Sequence, residues 1–257
     1  MRIAVLLKEV PDTYSDREMS LETGLTDRSG DVVADEVSER AVEAALRIAE
    51  AGEGVEVEIL SVGPESSADS VRRGIAMGAS EAYIVSDEAL TGADVTLTAQ
   101  VLAKLVEKQG YDLVVAGGMS SDGAAGVVAP FVAELLGWPV LTNLTELSID
   151  GDSVRATQAS ENATAELSAQ LPAVVSVADG FADPRYPNFK GLMAAKKKEL
   201  RAVTLAELGV DPEDFTHPRA IMVGIERRPE RERGEIIDGG STAAARLVDF
   251  LESKNLI

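Results

Sequence analysis

Four short apolar runs, each followed by a segment of helical periodicity, restrict the fold of this chain more than any other feature. RIAVLL (2–7), AYIV (82–85) and DLVVAGG (112–118) are β-rich and largely apolar, as strands covered on both faces are, and VEVEIL (55–60) reads as a strand of the same kind despite two glutamates. Between them the spacing changes. Val37, Ala41, Ala44, Ala45 and Ile48 recur at helical intervals over 37–50, and Ser67 is placed to cap a helix that carries Val71 and Ile75 and stops at Met77-Gly78. A third helix over about 93–108 turns Val101, Leu102 and Leu105 inward, and a fourth carries Val127, Val128, Phe131 and Leu135 up to Gly137-Trp138-Pro139. This alternation predicts an α/β fold: a doubly wound, mostly parallel sheet with helices on both faces. Ligands of such sheets sit beyond the carboxyl ends of the strands, which directs attention to the loops after Leu7, Leu60 and Gly118.

After residue 140 the rhythm changes. Segments 144–149, 153–159 and 164–169 alternate over short lengths and are separated by turns such as Asp150-Gly151-Asp152, which predicts a small antiparallel addition. LPAVVSV (171–177) reads as a buried strand returning to the sheet. Beyond 196 the apolar pattern is sparse until a helix expected over 241–253, and RRPERERGE (227–235) has no apolar face. We therefore expect an α/β domain over 1–195, including an exposed loop at 184–195, and an extended C-terminal arm over 196–257 with little core of its own, of the kind that lies on something else such as a partner chain.

Charge narrows the function classes. Asp and Glu outnumber Lys and Arg 44 to 24, a net charge of −20, so nucleic acid and anionic membranes are repelled. The acids are dispersed, which fits either adaptation to a high-salt cytoplasm or an ordinary acidic protein. With no cysteine and one histidine, disulfides, thiolate catalysis, Cys-based zinc and iron–sulfur clusters are excluded. No apolar run reaches the roughly 20 residues of a membrane span, and we expect a soluble cytoplasmic protein without membrane insertion. His217 stands before a proline and reads as a surface residue.

Nucleotide and hydrolase signatures such as Gly-x-x-x-x-Gly-Lys-Ser and Gly-x-Ser-x-Gly are absent. AGGMSSDGAAG (116–126) is a glycine-rich strand-to-helix turn, suited either to an anion or to tight turning alone. Asp122 within it fits a helix cap or an acceptor for a ribose hydroxyl. Lys8, after the first strand, fits a phosphate ligand or a solvated side chain. No acid, base and nucleophile stand together, so no catalytic residue is assigned. One stretch contradicts the overall charge: residues 181–201 hold six basic residues against two acidic ones, with Tyr186, Phe189, Leu192 and Met193 among them.

Taken in order, VLLKEVPDT (5–13), RAVEAALRI (40–48), AMGASEAYIV (76–85), DLVVAGGMSSDG with AELLGWP, LPAVVSV and above all DPRYPNFKGLMAAKKKEL resemble the beta subunits of electron transfer flavoproteins over almost the whole chain. The resemblance implies a heterodimer in which the alpha subunit holds most of the redox-active FAD and the beta C-terminal arm wraps around alpha. It implies a carrier rather than an enzyme, taking electrons from acyl-CoA or related flavoprotein dehydrogenases in fatty acid β-oxidation to a membrane quinone oxidoreductase. In the alternative, an electron-bifurcating relative, the beta domain binds a second FAD in place of AMP and oxidises NADH. Carried over, the beta-bound nucleotide lies against Leu6, Lys8, Asp35, Val62 and the turn Gly117, Gly118, Ser121, Asp122, Gly123, Ala124, Ala125, Gly126 and Val127. Asp12 and Thr13 approach the flavin held by alpha.

The resemblance also assigns the basic stretch. In the family, the loop after Pro-Arg-Tyr anchors the partner dehydrogenase with an exposed apolar side chain, here Phe189, within a surface of Tyr186, Leu192 and Met193. Lys196, Lys197 and Lys198 then face acidic partner surfaces. The other reading leaves Phe189 tucked into its own protein. The chain departs from many relatives at Asp35-Glu36, where Asn-Pro is common, and at Val127, where Gln is common. Carboxylates in place of an amide predict weaker binding of a nucleotide phosphate.

Overall fold

The computed structural model describes residues 1–231, 233–237 and 239–257. The chain begins with β1 (Arg2–Leu6), β2 (Glu9–Pro11), β3 (Val32–Ala34), α1 (Glu36–Ala51) and β4 (Glu56–Val62). It continues through α2 (Ala68–Met77), β5 (Glu81–Val85), α3 (Val95–Gln109), β6 (Leu113–Gly117) and α4 (Val128–Leu136). Then come β7 (Val140–Asp150), β8 (Ser153–Ala159), β9 (Thr164–Gln170) and β10 (Ala173–Val177). The last elements are α5 (Phe189–Lys197), β11 (Arg201–Val203), α6 (Leu205–Leu208) and α7 (Ala243–Ser253). Two compact units result, Met1–Val223 and Gly224–Ile257.

Among the described residues, nine strands of the first unit form one sheet in the order β11-β5-β4-β1-β6-β10-β7-β8-β9. From β11 to β7 every neighbouring pair is parallel, and only β7-β8 and β8-β9 are antiparallel. The expected doubly wound sheet with an antiparallel addition is what forms. Period-two alternation along the strands divides the core. Ile3, Val5, Val57 and Ile59 pack with α1 and α2, whereas Ala4, Leu6 and Leu60 pack with α3 and α4 on the other face. Burying each such Leu, Ile or Val stabilises the fold by roughly 1.5–3 kcal/mol. Leu97, Leu105 and Val106 of α3 complete the second layer, and Asp94 caps that helix by accepting from the Leu97 N–H at 2.8 Å.

Two expectations need correction. Residues 184–195 are not a loop throughout: α5 starts at Phe189, with Asn188 as its cap accepting from the Gly191 N–H at 2.8 Å. Pro184 and Pro187 both precede that cap, so they leave the helix intact, and Gly191 lets α5 lie against the backbone carbonyl of Ala76 in α2. The compact unit also does not end at 195. β11 pairs with β5, and Leu205, Leu208 and Val210 are buried in the core beside α3, which carries the first unit to Val223. A three-residue strand and a four-residue helix are too short to carry a periodic signal. In the second unit α7 exposes Leu247, Val248 and Phe250. No helix of the described residues is long and apolar enough to cross a membrane.

Candidate functional site

β1 has β4 on one side and β6 on the other, and the chain's crossovers leave in opposite directions from it. At the carboxyl ends of these three strands lies a cavity of about 1050 Å³. Leu6, Leu60 and Val62 form its apolar floor, and Lys8 and Asp35 stand on its wall. Gly117 and Gly118 follow β6, and Asp122, Gly123, Ala125, Gly126 and Val127 complete the rim that leads into α4. The sequence thus placed eleven of fifteen expected ligand residues in one cavity lining. Ser121 and Ala124 belong to the same turn but do not line the cavity, and neither do Asp12 and Thr13 of the β2–β3 connection.

Close backbone approach explains the glycines. A Cβ on Gly117 would lie 2.9 Å from the Val37 carbonyl carbon, so only glycine lets β6 end against the first turn of α1. One on Gly118 would lie 2.9 Å from the Val177 carbonyl oxygen. The turn then reaches α4, whose first residues receive no side-chain cap from Val127. Pro130 near the start of that helix needs no hydrogen-bond acceptor. Uncapped N–H groups facing a cavity are suited to an anion.

Asp122 is the electrostatic centre of the rim. Its side chain is 4% exposed, with Lys8 Nζ 2.7 Å from Oδ1 and Arg28 Nη2 2.9 Å from Oδ2. Burial pushes this carboxyl up, but the hydrogen bond and charge of Lys8, with help from Ser120 and the Gly123 N–H, hold it at about 2. Arg28 also donates to the Glu9 carbonyl at 3.0 Å, which ties the β2–β3 connection to the rim. Asp35 is spent differently. Its Oδ2 caps α1 through the Ser38 N–H and hydroxyl, both at 3.1 Å, and its Oδ1 accepts the Ser121 N–H at 3.0 Å. The carboxylate that sequence set against a phosphate is thus a brace joining α1 to the glycine turn.

Sequence missed the far wall. Ser86, Asp87, Glu88 and Leu90, on the connection from β5 to α3, line the cavity, as do Leu25 and Arg28. Glycine and charge patterns mark none of these positions, and Arg28 meets Asp122, 94 positions further along the chain, only through the fold. Charged residues around the cavity are two cations, Lys8 and Arg28, and five carboxylates, Asp35, Glu65, Asp87, Glu88 and Asp122. Both cations are paired with Asp122, and backbone N–H groups of the turn and hydroxyls such as that of Ser120 add donors for a ligand's anionic end. Among the described residues no cluster of His, Cys, Asp or Glu is placed to hold a metal.

A second surface lies on α5 and the strap before it. Tyr186 and Phe189 are 91% and 79% exposed, and Leu192 and Met193 lie beside them, also exposed. Lys196 and Lys197 are exposed on the same helix. Lys198 is not free to join them, because its Nζ is 2.5 Å from Glu81 Oε1, a carboxylate shared with Arg201 at 3.1 Å. Phe189 is therefore not tucked into its own fold. His217 is exposed, as its sequence context suggests.

Comparison with known proteins gives a single direction. Residues 23–208 match the electron transfer flavoprotein domain. The chain is 38% identical to electron transfer flavoprotein subunit beta of Mycobacterium tuberculosis over 99% of both chains, and 39% identical to that of Mycobacterium leprae over the same share. Identity to the Bacillus subtilis subunit beta is 32%, covering 99% of this chain and 98% of the relative. A switch-point cavity with a glycine rim, an exposed basic helix and full-length similarity converge: the chain belongs to the electron transfer flavoprotein family, as one of its beta subunits.

Proposed function

We propose that this chain pairs with an alpha subunit that holds the redox-active FAD, and that the heterodimer carries electrons from acyl-CoA or related flavoprotein dehydrogenases toward a membrane quinone oxidoreductase. The observation that carries this reading is the apolar patch around Phe189, ringed by lysines in a chain of net charge −20. A carrier that docks and leaves in each cycle needs an exposed anchor, and a single buried aromatic supplies much of the binding energy of such contacts. Lys196 and Lys197 steer acidic partners. The beta chain itself contributes docking and nucleotide binding rather than catalysis, in the cytoplasm and within fatty acid β-oxidation.

The residues present fit an adenine nucleotide. Leu6, Leu60 and Val62 offer an apolar bed for a base, and the turn from Gly117 to Val127 offers N–H groups for a phosphate, with Asp122 and its two cations at the rim. AMP bound here would brace the domain, and the flavin in alpha supplies the redox chemistry. Asp12 and Thr13, next to the exposed Tyr14, are the residues of this chain proposed to meet that flavin. The size of the cavity favours a second reading, a second FAD of a bifurcating subunit, since it runs on past the glycine rim to the wall of Ser86–Leu90.

Nucleotide content separates the two. The chain is co-expressed with its alpha subunit, the complex is denatured, and FAD and AMP are quantified per heterodimer. One FAD with one AMP is expected. Two FAD would make the bifurcating reading correct, and NADH oxidation would follow.

A further inference from the structure

We infer that Glu43, on α1, is a positioning residue for partner docking: through Arg185 it fixes the strap that presents Phe189. The inference rests on the docking role proposed for Phe189. Glu43 is 4% exposed, and a carboxylate in such a place is costly unless its oxygens are satisfied. Here both are. Oε2 accepts the Arg185 backbone N–H at 3.1 Å and its Nε at 2.7 Å, while Oε1 accepts Arg47 Nε at 2.8 Å and Arg185 Nη2 at 3.2 Å. Glu50, two turns further along α1, takes the other side of the guanidinium, with Nη2 to Oε2 at 3.1 Å and a second contact from Nη1. One arginine is thus gripped by two carboxylates of one helix face, and its own main chain is held as well.

Everything after Arg185 inherits that placement. The Tyr186 ring lies over Arg73, 5.7 Å from the guanidinium carbon, and Arg73 is paired with Glu39 of α1 at 2.6 Å. Asn188 then caps α5, Gly191 seats the helix on α2, and Arg72 donates to the Ala195 carbonyl at 2.8 Å near its end. Phe189 makes little use of its own burial, so its direction comes from these neighbours. The apolar face of α1 is completed by Ala41, Val42, Ala45 and Ile48 without Glu43. A buried ion pair can often be replaced by apolar groups without loss of stability, so the clamp's contribution lies in holding the strap. Holding an anchor in its bound geometry before encounter removes an ordering cost from association.

The experiment uses the assembled heterodimer, reduced by the acyl-CoA dehydrogenase of the same cell with its acyl-CoA substrate, in a double-mutant cycle of Glu43→Gln and Phe189→Ala. Glu43→Gln should raise the KM for the flavoprotein about tenfold with kcat, FAD and nucleotide content unchanged, and should add little in the Phe189→Ala background. Arg185→Lys, which keeps the charge and loses the two-sided grip, should act in the same direction if Glu43→Gln folds poorly. An unchanged KM in Glu43→Gln and Arg185→Lys beside a raised KM in Phe189→Ala overturns the inference and leaves docking intact. Additive effects, or loss of bound cofactor, also overturn it, because they mark a structural role. If Phe189→Ala alone leaves KM unchanged, the docking reading itself fails.

Discussion

At the scale of single residues, chemistry was legible in type and illegible in partnership. Asp122 stood out in the glycine turn, but cap and ribose acceptor were equal readings of one carboxylate. The fold does not use it to cap α4 and pairs it with Lys8 and Arg28. Its folded carboxyl lies at about 2, below the usual 3.8. A lowered carboxyl contributes stability that is complete above the unfolded value and is lost as pH falls through the folded one. Asp122→Asn should therefore lower the thermal midpoint at pH 7, and the gap to the parent should close between about pH 4 and pH 2. Thermal scans of both proteins across that range check this. A gap that persists at pH 2 would mean that Asp122 acts through packing rather than charge. Asp35 gives the converse lesson. Its position suggested interference with a phosphate, whereas Ser38 and Ser121 use both its oxygens.

At the scale of elements, periodicity located what is long and missed what is short. β1, β4, β5 and β6 and helices α1 to α4 follow from apolar spacing, because each must bury a face in the main sheet's layers, whereas the three-residue β2 and β3, which pair with each other, do not. The helix at Phe189 escaped because its apolar side chains point outward, so no buried stripe repeats along it. β11 escaped because three residues cannot show alternation. The arm was expected over 196–257, whereas the second compact unit is Gly224–Ile257, and its α7 presents Leu247, Val248 and Phe250. Amphipathic helices with an exposed apolar face bind partner surfaces. A chain ending at Val223 should keep the thermal midpoint of the first unit and fail to co-purify with the alpha subunit. Recovery of an intact heterodimer would remove the arm from the interface.

For the whole molecule, charge is the dominant property. A net −20 on 257 residues is self-repulsion that salt relieves. At about 1 M salt the Debye length falls to about 3 Å, which screens the dispersed acids while sparing close pairs such as Glu43–Arg185. The thermal midpoint should rise as KCl is increased from about 0.1 M to molar concentrations, followed by circular dichroism. A midpoint that is flat or falls would favour the ordinary acidic protein. In the proposed docking, the same screening would weaken steering by Lys196 and Lys197 and leave the apolar contact of Phe189 as the main source of energy. The sequence by itself determined the layered α/β architecture, the glycine turn at the end of β6 and the basic island in an acidic chain, because strand length, helical period and composition are local properties. Only the tertiary structure decided which carboxylate meets which cation, that Lys198 is spent on Glu81, and that Arg185 is clamped by Glu43. Those contacts join residues far apart in the chain, and their partners are selected by the sheet order, the packing of α1 and α2 against it and the seating of α5 on α2.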